Sequence, residues 1–240
     1  MNPRVRVDEV LAVGLKVALP PEAVTHVTRV LRRGLGDGVD LVSPDGKVWM
    51  AKIVSLAPVA VEVCSDSDAA DANPAVSVGV WLPVLKGGKS DALIRQLTEL
   101  GVSRVTPYLS RRTVTRFDDT KGRKRRQRWQ VIADEATRQC RRTDRLHVSA
   151  IHQGIPAANE PPGVLFYERS RGPSRGVSEL PPDALRNVLV GPEGGLESAE
   201  VDALVDLGWH VAWLGPRVLR AETAVIVAAT LALTKLGEFA

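Results

Sequence analysis

From residue 76 onward, short apolar runs alternate with helical periodicities, and that alternation leaves few folds open. The runs are "VSVGVWL" (76–82), "VTPYL" (105–109), "GVLFYE" (163–168), "NVLVG" (187–191) and "HVAWLG" (210–215). Between the first two lies "KGGKSDALIRQLTELG" (86–101), with Leu93, Ile94, Leu97 and Leu100 on one helical face and Gly101 as its stop. A further helix is expected near 128–141, and the last begins near Ala221. Strands that are apolar throughout belong inside a sheet covered on both faces. This part therefore reads as an α/β domain with a mostly parallel sheet. Ligands of such sheets bind outside the carboxyl ends of the strands. The loops at 191–195 and 215–222 lie at two of those ends.

Residues 1–70 follow a different grammar. Strands are expected at 39–42, 48–54 and 59–63, separated by the turn signals "SPDG" and "LAP". Residues 20–34 carry apolar side chains at 24, 27, 30 and 31 and end at Gly34, which predicts an amphipathic helix with a glycine stop. A small barrel with one short helix fits this pattern. The polar stretch "SDSDAADANP" (65–74) reads as a linker, giving domains at 1–70 and 75–240.

Several classes of function drop out on composition. Cys64 and Cys140 form no CxxC pair, and His26, His147, His152 and His210 form no HxxxH or HExxH pattern, so no metal is expected. The start "MNPRVRVDEV" lacks the apolar stretch of a signal peptide, and "AVIVAATLAL" (224–233) is too short to cross a bilayer. A cytoplasmic protein with no membrane partner is expected. Residues 111–145 hold thirteen Lys/Arg against five Asp/Glu, densest in "KGRKRRQRW" (121–129). That patch is either a solvated basic loop or a surface for a polyanion, ordered only when RNA arrives.

Two loops carry the chemistry. "GPEGG" (191–195) places a carboxylate, Glu193, inside a glycine turn between strand and helix and lacks the Gly-Lys-Ser/Thr ending of a phosphate loop. Alone it reads equally as a plain turn. "LGPRVLRAETA" (214–224) opens the last helix, with Glu222 in its first turn, where the helix dipole favours an acid. Arg217 and Arg220 either serve a ligand or pair with Glu222 or Glu193.

Together, "LVGPEGGL…E" and "LGPRVLRAETA" resemble the SPOUT class of S-adenosylmethionine-dependent RNA methyltransferases. More narrowly, they are similar to the bacterial 16S rRNA (uracil-N3)-methyltransferase family, the small-subunit methyltransferase E group. "HVTRVLRRGLGD" (26–37), "KGGKSDALIRQLTELGV" (86–102), "RRTV" (111–114) and "RWQVIADEATRQCRR" (128–142) match in the same order. The resemblance implies a deep trefoil knot in the C-terminal domain, an exception to the usual unknotted chain. It also implies a PUA-like RNA-binding barrel at the N-terminus and a homodimer with the cofactor pocket near the subunit interface. The substrate implied is 16S rRNA or the assembled small subunit.

The same resemblance assigns residues. S-adenosylmethionine would be held by Gly191, Pro192, Glu193, Gly194 and Gly195, and by Leu214, Gly215, Arg217, Leu219 and Ala224. Leu165 and Tyr167 would line the pocket. From the chemistry of the reaction so implied, Arg220 at the entrance to the last helix is expected to hold the uracil oxygens or the developing charge, and Glu222 to orient that arginine or help remove the N3 proton. RNA would meet His26, Arg29, Arg32 and Arg33 in the small domain, and Arg112, Lys124, Arg125 and Arg126 in the large one.

Departures from the family pattern fall at Arg4-Val5-Arg6-Val7, where an aromatic is usual, and at Arg95-Gln96, where Gln-Lys is usual. Arg141 replaces a usual glycine, and Glu197 is a poor helix cap where Ser or Thr is usual. The rival readings are the same chemistry on tRNA or another rRNA position, and an RNA-binding assembly factor without cofactor. A phosphate-binding protein is disfavoured by the missing lysine.

Overall fold

The computed structural model describes residues 2–66, 72–113, 118–168 and 176–239. Half of the linker expected over 65–74, and Val114 of "RRTV", lie outside them. The chain divides into two compact units. One is Met1–Asn73 with Thr137–Asp144, and the other is Pro74–Ala136 with Arg145–Ala240.

Five strands build the sheet of the first unit: β1 (Arg4–Arg6), β2 (Lys16–Ala18), β3 (Gly38–Val42), β4 (Val48–Leu56) and β5 (Val59–Asp66). Their order is β1-β3-β4-β5-β2, with β1 parallel to β3 and the other pairs antiparallel. The three expected strands are β3, β4 and β5. β1 and β2, at three residues each, are too short to show a period in sequence. Alternation along β4 and β5 sends Ala51, Ile53, Val61 and Val63 into one core with Val5, Val17 and Leu41.

The helix expected over 20–34 is shorter than its apolar spacing suggests. α1 (Pro21–Val24) passes into a π-helical turn over Thr25–Val30, of which only Val27 is buried. A wider turn rotates the following side chains off the 3.6-residue stripe. Val30 and Leu31 are accordingly exposed, and the stop is not Gly34 but Arg32, at φ +52°.

Thr137–Asp144 joins the first unit through its backbone. Arg4 and Arg6 donate to the carbonyl oxygens of Arg141 and Thr143, and Asn73 Oδ1 accepts the N–H groups of Thr143 and Asp144 at 2.7 and 2.8 Å. Arg141 itself has φ +67°. That left-handed conformation costs an L-residue about 1 kcal/mol and suits glycine better. Arg141→Gly is expected to stabilise the protein by about 0.5–1 kcal/mol, seen as a higher urea midpoint at unchanged slope.

The second unit holds a wholly parallel sheet. Its strands are β6 (Gly79–Pro83), β7 (Arg104–Leu109), β8 (His147–Val148), β9 (His152–Gln153), β10 (Val164–Phe166), β11 (Asn187–Val190) and β12 (His210–Ala212). The order is β12-β10-β11-β6-β7-β8, with β9 also on β7. All five expected apolar runs are strands of this sheet. Alternation sorts them onto two faces: Val80, Leu82, Val164 and Val188 pack with α2 (Lys89–Leu100) and α5 (Ala221–Lys235). Trp81, Tyr108, Leu165 and Leu189 pack on the other face with α4 (Ser198–Asp206). Alanines 224, 228, 229 and 232 give α5 a small-residue surface that lies close against this core.

The basic patch is helical, not a loop awaiting RNA. α3 (Asp119–Gln139) contains all of 121–129. Asp118 Oδ1 accepts the Lys121 N–H at 2.8 Å at the helix start. Trp129 is fully buried, and its indole N–H donates to Asp91 Oδ1 at 2.9 Å while Arg128 pairs with the other oxygen. Arg126 donates to the Val148 carbonyl at 2.9 Å, and Arg125 lies 5.4 Å from the Trp129 ring centroid. Those long-range partners order the segment and were invisible to a local reading. Arg95 and Gln96 are exposed on α2, away from its buried face.

Candidate functional site

At the carboxyl ends of β10, β11 and β12 the following loops enclose a cavity of about 550 Å³. Glycine shapes both principal loops. Gly195 has φ +69° and donates to the Pro192 carbonyl at 2.8 Å, closing a tight turn. Gly215 has φ +100°, with no atom within 4 Å of where a Cβ would stand. The backbone angle, not crowding, is what asks for glycine there.

The base of the cavity is pinned from behind. Tyr108 is fully buried and its hydroxyl donates to the Val190 carbonyl at 2.7 Å, at the point where β11 becomes the glycine loop. Burial, and then the nearby charge of Glu200, raise the phenol well above its ordinary pKa, so it remains a proton donor. Glu200 is buried and accepts two backbone donors, the N–H of Arg111 at 3.0 Å and of Glu197 at 2.9 Å. The Glu197 side chain makes no cap, as its chemistry predicts, and Glu200 reaches back to satisfy that turn. Glu200→Ala strands both donors and is expected to cost about 2–4 kcal/mol of stability in urea unfolding.

Of the residues singled out from sequence, Tyr167, Gly191, Pro192, Glu193 and Gly195 line the cavity, as do Leu214, Gly215, Arg217, Leu219, Arg220, Glu222 and Ala224. Leu165 does not: it is fully buried on the α4 side of the sheet, between Leu189 of β11 and Val211 of β12. It belongs to β10, whereas Tyr167 lies just beyond the strand and turns into the opening. Gly194 faces a neighbouring cavity of about 290 Å³, shared with Val84, Lys86, Arg112 and Thr113, and on this side of the loop Arg112 Nη1 donates to its carbonyl at 3.2 Å.

The charges pair in an unexpected way. Glu222 and Glu193 do not pair with Arg217 or Arg220. Lys89, the first residue of α2, takes both: its Nζ is 3.2 Å from Glu222 Oε1 and 3.5 Å from Glu193 Oε1. Glu222 is held below the ordinary carboxylate pKa, chiefly by its own backbone N–H and then by Lys89 and Arg220. Lys89, Glu168 and Trp213 line the cavity and escaped the sequence reading. Lys89 looked like a lead-in to α2, and its partners lie 104 and 133 positions away.

The residues expected to meet RNA are dispersed. His26, Arg29 and Arg32 are exposed on the first unit, and Arg33 is partly buried, 4.0 Å from Asp37. On the second unit Arg112 and Lys124 are exposed, while Arg125 and Arg126 are partly buried in the contacts of α3. Among the described residues no group of His, Cys, Asp or Glu is arranged to hold a metal, and no helix is long and apolar enough to cross a membrane.

Residues 72–233 match a protein family described as an RNA methyltransferase domain. Over 219 residues the chain is 32% identical to the ribosomal RNA small subunit methyltransferase E of Bacillus subtilis, covering 86% of this chain and 85% of that protein. It is 31% identical to the protein of the same name from Synechocystis, over 88% of this chain and 71% of that one. In structure it is similar to a ribosomal RNA small subunit methyltransferase E from Neisseria gonorrhoeae bound to S-adenosylmethionine. The TM-score is 0.86 and the identity 27%, over 100% of both chains.

Proposed function

This chain belongs to the RNA methyltransferase domain family, and from that premise we propose that it transfers the methyl group of S-adenosylmethionine to N3 of a uridine in the 16S rRNA of the small ribosomal subunit. The observation that carries the proposal is the composition of the 550 Å³ cavity. Its walls include Leu196, Leu214 and Leu219 beside three carboxylates, Glu168, Glu193 and Glu222, and its one lysine is already paired with two of them. Apolar walls suit an adenine ring, open peptide groups of glycine loops suit its edge and a ribose, and carboxylates suit a cationic sulfur. Relatives named small subunit methyltransferase E, one of them bound to S-adenosylmethionine, support the same reading.

The cofactor supplies an electrophilic methyl group; the chain supplies position and charge. Tyr167, Gly191, Pro192, Glu193, Gly195, Leu214, Gly215, Arg217, Leu219 and Ala224 hold the donor, while Leu165 and Gly194 support it from the sheet and from the neighbouring cavity. The exposed guanidinium of Arg220, at the start of α5, meets the uracil oxygens and stabilises the negative charge that develops as N3 loses its proton. Glu222, with its depressed pKa, is a weak proton acceptor and serves as an anchor for the surrounding cations. N3 lies on the pairing edge of the base, so the uridine is unpaired or flipped out when it reacts.

RNA is held by His26, Arg29, Arg32 and Arg33 on the first unit and by Arg112 and Lys124 on the second, with Arg125 and Arg126 shaping the helix that presents Lys124. We assign the first unit to a PUA-like barrel (1–70) and the second to a SPOUT domain (75–240) with a deep trefoil knot. Strand β10, lying between β11 and β12, supports the latter. Exposed Trp213, Val218 and Leu231 support a homodimer that covers them, and a ribosomal substrate supports a cytoplasmic location.

Incubating the protein with methyl-labelled S-adenosylmethionine and small subunits, naked 16S rRNA or tRNA, followed by nucleoside mass spectrometry, tests the reading. Labelled 3-methyluridine from 16S rRNA is expected. Label confined to tRNA, to ribose or to another base position overturns the assignment of target.

A further inference from the structure

The cavity is lined by two arginines, Arg217 and Arg220, and three carboxylates, yet neither arginine pairs with Glu193 or Glu222. Glu222 stands two residues from Arg220, which acts on its charge, and Glu193 lines the same opening as Arg217. Ordinary chemistry would pair them. Instead Lys89 Nζ sits 3.2 and 3.4 Å from the two oxygens of Glu222 and 3.5 Å from Glu193 Oε1. Among the described residues neither Arg217 nor Arg220 makes an ion pair. Lys89 reaches this place because Gly87-Gly88 precede α2 and because Ser90 Oγ, fully buried, accepts the Leu85 N–H at 3.1 Å and fixes the turn.

We infer that Lys89 is a positioning residue that occupies Glu193 and Glu222 so that Arg220 stays unpaired and available to the uracil. The inference rests on the role of Arg220 proposed above. It gives Lys89 an effect without contact with substrate: its ammonium decides which cation the carboxylates capture. Removing that charge leaves Glu222 with Arg220 as its near cation, and the arginine must then be pulled off a carboxylate at each turnover. All three side chains of the pairs are between about a quarter and a half exposed, at 41%, 38% and 29%, so recapture is incomplete and the penalty is moderate.

Kinetics of Lys89→Met on 16S rRNA are therefore expected to show kcat lowered about five- to tenfold, with KM for RNA and for S-adenosylmethionine within about threefold. Lys89→Arg restores kcat to within about threefold, because the positive charge returns. The decisive comparison is a double-mutant cycle. Placed on Glu193→Gln/Glu222→Gln, the Lys89→Met change costs less than about twofold, since neither carboxylate that Lys89 held remains to capture Arg220. An undiminished penalty in that background overturns the inference, as does a loss confined to KM for the cofactor.

A second readout does not depend on activity. Side-chain NMR of the Arg220 guanidinium, identified by its absence in Arg220→Lys, reports rotation about its terminal bonds. Fast rotation is expected in the parent, slowed rotation in Lys89→Met, and fast rotation again in Lys89→Met/Glu193→Gln/Glu222→Gln. Equal rotation in all three contradicts the inference. A parent protein that methylates no RNA contradicts the proposed function instead, and the rotation measurement still decides the electrostatic arrangement.

Discussion

Replacing Arg220 with alanine is expected to lower kcat for methyl transfer to 16S rRNA by about 10²–10³-fold, while the affinity for S-adenosylmethionine stays within about threefold. The direction follows from where the residue stands. Arg220 precedes α5 with its side chain exposed and lines the cavity mouth, and its carboxylate neighbour is already occupied by Lys89. A guanidinium so placed contributes little to an uncharged ground state and most when negative charge appears on uracil, so the loss falls on kcat rather than on KM. The pH profile belongs to the same expectation. Because the folded protein depresses the Glu222 pKa, the carboxylate remains ionised at neutral pH, and its interactions are lost only as pH falls below the ordinary carboxylate range. Activity limited by deprotonation of uracil then rises with pH through neutrality, with no acid limb from Glu222 above about pH 5. Full turnover by Arg220→Ala would remove this residue from the mechanism.

The second large effect is expected at Gly215. Its φ of +100° suits glycine, and a β-branched side chain there costs about 1–3 kcal/mol in backbone strain. A Cβ at this position meets no atom within 4 Å, so valine distorts the loop through backbone strain and not through crowding. Gly215→Val is expected to weaken S-adenosylmethionine binding by at least about 100-fold while a cooperative unfolding transition persists. Calorimetric titration beside thermal unfolding separates the two. Parent-like affinity in a folded Gly215→Val protein would mean that the loop does not form the donor site. Gly194, which faces the smaller cavity and Arg112, is the weaker probe of the same loop.

What the sequence made legible was what neighbouring residues decide among themselves. Five apolar runs became strands of one parallel sheet because a run such as residues 188–190 has no polar side to show solvent. Both glycine loops were legible for the same reason, and they meet in one cavity because parallel strands end on the same side. The rest depended on partners far along the chain. Tyr108 fastens Val190, Glu200 fastens Arg111, and Lys89 joins Glu193 to Glu222, and no local period marks any of them. Trp129 and Asp91 likewise turn a run of cations into part of α3. The π turn at Thr25–Val30 defeated the helical stripe by changing its period midway. Leu165 was expected in the pocket because it stands towards the end of a strand, and the sheet put it underneath instead.

The most direct test of the donor site uses a reporter that the fold provides. Trp213 is the one tryptophan of the five that lines the cavity, and it is 40% exposed. Titrating S-adenosylmethionine into the protein is predicted to change tryptophan fluorescence saturably, with a midpoint on the order of micromolar. In Trp213→Phe the optical change should vanish while calorimetry still records binding. An unchanged fluorescence response in Trp213→Phe, or neither heat nor fluorescence change in the parent, would contradict a methyl-donor site between the two loops.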